Sequence, residues 1–187
     1  MDALTALHTR TSANLLEEPG PNKEQLNSLI QAGLRACDHG RLTPWKFILI
    51  DNEQRADFGN LMVKAKTAAD NGCELPIDFA LKLKQKPFRA PVILAVAAEL
   101  KEHPKVPEIE QILSAGAAAQ MIVTAAYAMG LGAIWRSGSL MFEPTMREGL
   151  GLDENHRLVG LIYLGTPKVS KEAPHYLVSD YLENWKS

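Results

Sequence analysis

The residues of this chain best suited to chemistry are guanidinium and hydroxyl groups. They fall in three short clusters: "RTS" at 10 to 12, "RACDHGR" at 35 to 41 and "WRSGS" at 135 to 139. A guanidinium makes planar, bidentate contacts to phosphate, and hydroxyls satisfy a polyol chain. The last cluster says most. "GAIWRSGS" sets Arg136 inside an apolar run, just after an alanine-rich segment. A strand covered on both faces favours Val or Ile there, and an arginine in that place must find an anion or several acceptors. A strand end that faces a polyanionic planar ligand instead favours an aromatic, a guanidinium and a hydroxyl, which is what Trp135, Arg136 and Ser137 offer. The pattern implies a cofactor. The other clusters have blander readings too: Arg10 as a helix-end charge complementing the dipole, Arg35 as a solvated helix face, Ser12 as a cap.

Other chemistries lack their residues. "GLG" at 130 to 132 follows a helix and precedes a strand, the reverse of the order a phosphate-cradling turn needs. There is no P-loop, no G-x-S-x-G elbow and no H-E-x-x-H. His103 and His156 read as residues of polar loops, and His8, His39 and His175 have no partner at metal-ligand spacing, so no metal is expected. Cys37 and Cys73 form no C-x-x-C pair and read as packed thiols of a reducing cytoplasm. A formal net charge of -2 gives no dominant basic surface for nucleic acid.

The elements must position these groups. A chain of 187 residues suits one domain with a real core. The N-terminus lacks a cleavable apolar stretch, so a cytoplasmic protein is expected. Residues 112 to 135 carry no charge and are long enough to span a bilayer. Alanine dilutes that signal, Ser114, Gln120 and Thr124 interrupt it, and no basic flanks support it; a helix buried in the protein or against a partner is expected instead, with no membrane. Further helices are expected at 2 to 9, from the Asn22 cap with its Gln25 partner through "RAC", at 53 to 70, at 76 to 85, and in "EPTMREGLG". Buried strands are expected at Trp45 to Asp51, in "APVILAVAAE", in "GAIWRS" and in "LVGLIYLGTP", stopped by Pro167. Helices separate most strands and the strands lack polar alternation, so helices should cover both faces, in an α+β or α/β order. The stretch near 70 to 87 reads as a mobile surface excursion. The tail from 168 carries Tyr176, Leu177, Tyr181, Leu182 and Trp185, anchors for docking on a second subunit.

The three clusters, in this order, resemble the flavin-dependent nitroreductase family, closest to its short NAD(P)H nitroreductase branch. The likeness rests on "MDALTALHTRTSAN", "LRACDHGRLTPWKF", "FRAPVILAVAA", "SAGAAAQMIVTAAYAMGLGAIWRSG" and "VGLIYLGTPK". It implies a single α+β domain, a three-layer sandwich with a mixed central sheet and a long buried helix at the interface of a homodimer. It also implies FMN at that interface, NAD(P)H as reductant, and a nitroaromatic, quinone or similar small-molecule acceptor served in turn. By the family pattern Arg10, Thr11 and Ser12 hold the FMN phosphate and ribityl chain, and Arg35 and His39 reach the flavin of the other subunit. Trp135, Arg136 and Ser137 line its ring, and Lys168 supplements the phosphate contacts. Ala125, Ala126, Tyr127, Ala128, Met129 and Gly130 match the segment associated with the nicotinamide nucleotide. The chain departs from the pattern at Thr11 and Asn14, where relatives carry basic residues, and at Arg41 and Thr43, where they carry amides. A flavin-binding protein of little turnover, serving storage, sensing or assembly, is the alternative on the same fold.

Overall fold

The computed structural model describes residues 1–185. Six α-helices and five strands follow in the order α1 (Ala3–Thr9), β1 (Leu16–Glu17), α2 (Lys23–Gly33), β2 (Trp45–Asp51), α3 (Gln54–Ala69), α4 (Ile77–Gln85), β3 (Val92–Glu99), α5 (Glu108–Ala128), β4 (Gly132–Arg136), α6 (Pro144–Gly149) and β5 (His156–Pro167), with short 3-10 turns between some of them. The sheet runs β1-β5-β3-β2, and β4 pairs with β5 beside β1. One helical layer, α1, α2 and α5, packs on one face; α3, α4 and α6 pack on the other.

Local chemistry explains most boundaries. Asn22 accepts from the Gln25 amide while the Gln25 side chain accepts from the Asn22 amide, a capping box that starts α2. α2 ends at Gly33, before Arg35, so Arg35 sits on the following turn rather than on a helix face. α5 carries Glu108 and Glu110 in its first turn. It stops at Gly130 (φ 77), where Gly130 and Leu131 donate to the Tyr127 and Ala126 carbonyls in a Schellman arrangement. α5 is long and apolar enough to cross a membrane. Its Ala115, Ala118, Ala119, Ile122 and Ala126 are nevertheless packed out of reach of solvent, and it presses on β3, β4 and β5.

Alternation along the strands divides the core. Ile93, Ala95 and Ala97 of β3 and Tyr163 of β5 face α3 and α6, while Leu94 and Val96 of β3 and Ile162 and Leu164 of β5 face α5. β3 is buried from Val92 to Ala98 because it lies inside the sheet under both helical layers.

Four expectations are corrected. All four strand pairings among the described residues are antiparallel, where a mixed sheet was expected; β3 and β4 do run parallel, but β5 lies between them. The strand Trp45–Asp51 is an edge, and only Ile50 in it is buried. Cys37 and Cys73 are exposed rather than packed. His156 is no loop residue: it opens β5 and is buried. The aromatic and aliphatic residues of the tail, Tyr176, Leu177, Tyr181, Leu182 and Trp185, are all exposed in the single chain.

β4 rests against β5 at a glycine. A Cβ at Gly160 would lie 2.1 Å from Trp135 Nε1 and 2.9 Å from the Arg136 carbonyl oxygen. Gly160→Ala is therefore expected to cost about 2–3 kcal/mol through overpacking, lowering Tm by roughly 4–12 °C at fixed protein concentration. An unchanged melting curve would show that β4 does not sit so close.

Candidate functional site: a cationic groove at the end of strand β4

Pleating sends the neighbours of the "WRS" motif to opposite faces. Ala133 and Trp135 point into the α5 side of the core, where the indole lies by Gly116 and Gly160. Ile134 packs on the other side, and Arg136 shares that side, its guanidinium carbon 5.7 Å from the centre of the Tyr163 ring. Trp135 therefore anchors the strand, and Arg136 is the member of the motif that brings a charge to the cavity on the other face.

That cavity is a groove of about 430 Å³ bordered by Trp135, Arg136 and Ser137 on β4 and the loop after it, by Lys86 and Arg89, and by Tyr163. Met62, Ile134, Met141 and Leu161 give it an apolar floor. Lys86 and Arg89 belong to a 3-10 turn, Lys86–Arg89, that leads into β3. Arg55, at the start of α3, pins this turn: its Nη1 donates to the Ala90 carbonyl at 3.0 Å, and its guanidinium lies 5.3 Å from the centre of the Phe88 ring.

Three cations meet here, and no carboxylate among the described residues lines the groove. The Arg136 Nε is buried with no hydrogen-bond partner among them. Burial, then Arg89, then Arg136 lower the Lys86 pKa from its ordinary value. Burial raises the Tyr163 pKa despite the opposing pull of Arg136 and Arg89, so its hydroxyl stays neutral. Like charges gathered beside an apolar floor are unfavourable without an anion. The geometry fits a planar apolar body with a negatively charged or strongly accepting edge.

The other residues expected at a site are placed elsewhere. Arg10 ends α1, and its Nη1 is a second buried guanidinium nitrogen without a partner among the described residues. Thr11 and Ser12 follow it on an arm tied to β4 by the Ala13 amide, which donates to the Ala133 carbonyl at 3.0 Å. Lys168 Nζ is 3.0 Å from Glu17, so its charge already has a counterion. Arg35 is exposed, and His39 Nδ1 contacts Glu110 of α5. The His39 loop is locked in strained form, with positive φ at Gly40, Arg41 and Thr43, and Asp38 accepts from the Thr43 amide at 2.6 Å. Neither Arg10–Ser12 nor Arg35 and His39 line the groove within one chain. Ala125 to Gly130 form the C-terminal turn of α5 and its stop, held to α1 by the Tyr127 hydroxyl, which donates to Thr9 Oγ1 at 3.1 Å.

Lys86 and Arg89 were not found from sequence. In "LKLKQKPFR" they look like any lysine-rich surface helix, and the one available signal is the Pro87 that interrupts the helix and makes the turn.

Comparison with known proteins is consistent in one direction. The profile of the nitroreductase family matches residues 7–166. A protein of Escherichia coli K12 named "Putative NAD(P)H nitroreductase YdjA" is 44% identical over 169 residues, 90% of each chain. Among solved structures, a nitroreductase-like protein from Bacillus cereus superposes with TM-score 0.80 at 20% identity, covering 100% of this chain and 97% of that one. A protein from Desulfovibrio desulfuricans described as a "putative nitroreductase in complex with fmn" gives 0.73 at 21% identity, covering 100% and 99%. These two likenesses establish the fold.

Removing one cation should relieve the others. The folded Lys86 pKa lies below the ordinary 10.5, so the unfolded chain binds more protons across the interval between them. Stability contributed at this site therefore rises with pH there. In Arg89→Gln the Lys86 pKa is expected to move up towards 10.5 without reaching it, since burial remains, and the rise should shrink. Lysine-selective NMR titration reads both; a Lys86 that titrates identically in the two proteins would contradict the coupling.

Proposed function

Because the chain belongs to the nitroreductase family, we propose that it is an FMN-dependent oxidoreductase that takes electrons from NAD(P)H and passes them to a nitroaromatic, quinone or similar acceptor. The observation that carries this reading is the groove at Arg136: three cations and an apolar floor, with no facing carboxylate and no partner for the buried guanidinium nitrogen among the described residues. A flavin ring meets those demands, since it is planar and apolar across its face, and its pyrimidine edge accepts hydrogen bonds.

When bound, FMN supplies hydride acceptance and electron transfer, so that reductant and acceptor use one exposed flavin face in turn. The protein supplies position and charge. Arg136, Lys86 and Arg89 hold the electron-rich edge and favour negative charge there. Main-chain N–H groups at Arg136 and Ser137 are the donors for the ring edge beside them. Arg10, whose Nη1 has no partner among the described residues, is assigned the phosphate, with Thr11 and Ser12 on the ribityl hydroxyls. Lys168 is assigned a lesser part because Glu17 already neutralises it. Met62, Met141 and Leu161 exclude water from one side of the ring.

A second copy of the chain completes the site in this reading. Leu4 and Leu7 on α1 and Ile109, Leu113 and Met121 on α5 are exposed apolar residues on the same helical layer, and the aromatic tail is also uncovered. Such a surface suits a homodimer. In it Arg35 and the clamped His39 are assigned to the partner's flavin. Ala125 to Gly130 are assigned to the nicotinamide nucleotide, as in the family pattern, and the homodimer is assigned to the cytoplasm.

FMN-saturated protein should be yellow, should bleach when NADH or NADPH is added without oxygen, and should recover its colour with a nitroaromatic or quinone. Arg136→Gln should weaken FMN binding roughly tenfold to a hundredfold, the size expected for losing a charged hydrogen bond. Protein that takes up no FMN contradicts the reading. FMN uptake with no bleaching by either nucleotide leaves the low-turnover binding protein as the correct one.

A further inference from the structure

We propose a second ligand site, separate from the cationic groove, at His156 and Arg147, built for a monocarboxylate with an apolar body. His156 is 6% exposed. Its Nδ1 accepts from the Asp153 amide at 3.3 Å, so Nε2 carries the ring proton. That Nε2 is buried and has no partner among the described residues, and the same is true of the Nε of Arg147. Both residues line one cavity of about 580 Å³ at the start of β5, beside α6. Two buried donors without acceptors in one cavity are costly unless something fills it.

The lining sets the chemistry of the occupant. Two N–H donors ask for an acceptor with two oxygens, and a carboxylate meets them with charge-assisted bonds. Glu143 and Glu154 also line the cavity, and neither bonds to His156 Nε2 or Arg147 Nε. Arg157 lines it as well, its Nη1 donating to the Glu154 and His156 carbonyls, and Arg147 Nη2 lies 3.6 Å from Glu148; carboxylates thus balance both guanidiniums, and no surplus positive charge favours a dianion such as phosphate over a single carboxylate. Ile112, Met141 and Leu158 form an apolar wall. Phe142, which also lines the cavity, is 83% exposed, an unusual position for a ring that has nothing to cover. The ligand class is therefore an aromatic or aliphatic monocarboxylate, its head on His156 and Arg147 and its body under Phe142.

α6 and β5 are joined by a short link in which the Leu152 amide donates to the Arg147 carbonyl, so the two donors are held by one local structure. Met141 borders both this cavity and the cationic groove, but no cation is shared between them. The site stands independently of whether FMN binds.

Benzoate is the probe, with benzamide and inorganic phosphate as controls at constant ionic strength. In FMN-saturated protein, imidazole NMR should show a saturable shift of the His156 Nε2 signal with benzoate and none with benzamide or phosphate. Arg147→Met keeps the aliphatic stem and should weaken benzoate roughly tenfold while leaving the FMN content unchanged. An absent or non-saturating His156 shift would mean that water alone fills the cavity and would overturn the proposal. So would equal binding of benzoate by Arg147→Met, or phosphate binding as well as benzoate. Loss of FMN in the variant with unaltered benzoate binding would likewise overturn it, and would assign Arg147 to the flavin site.

Discussion

Positive charge gathered on an apolar surface is the constraint on which this structure turns. Arg136 cannot turn away from the groove without breaking the alternation of β4, because the residue before it, Trp135, is fixed on the opposite face by the glycines at 116 and 160. The guanidinium is thereby aimed at the α3 and α6 side of the sheet, over Tyr163. Lys86 and Arg89 arrive from another part of the chain, on a turn that Arg55 holds. Nothing in folding alone rewards bringing these three together, since each lowers the comfort of the others. An anionic or strongly accepting ligand does.

The scaffold around the groove is stiff where it needs to be. β3 and β5 are buried strands at the centre of the sheet, and they carry the floor on which Tyr163 and Leu161 sit. α5 braces the other face with small side chains that let it approach closely. α1 and α5, which carry the exposed Leu4, Leu7, Ile109 and Leu113, belong to the helical layer on the opposite face of the sheet from this floor. The groove is thus formed within one chain, and neither the arm at Arg10 nor the loop at His39 is part of its lining.

Much of this was legible from residue order. The capping box at Asn22, the uninterrupted apolar run of β3 and the glycine after α5 each specify a local structure, and each formed where expected. Arg136 was also legible, because a charge within an apolar strand is rare enough to demand a reason. What escaped were properties decided by tertiary neighbours. The strand Trp45–Asp51 has the composition of an interior strand, but no strand among the described residues pairs with its outer edge. His156 looked like a loop residue until β5 proved to begin there. β1 is two residues long and has no periodicity to detect. Lys86 and Arg89 gain their meaning only from the distance to Arg136, and no spacing along the chain encodes that.

The central claim is electrostatic: the groove is shaped to hold negative charge on a flat ring. The two-electron reduction potential of protein-bound FMN, set against free FMN in the same buffer, tests it most directly. Stabilisation of the negatively charged reduced form by Lys86, Arg89 and Arg136 predicts a more positive potential, by at least about 30 mV, the two-electron equivalent of a tenfold tighter hold on reduced than on oxidised cofactor. A potential equal to or below that of free FMN would contradict the account.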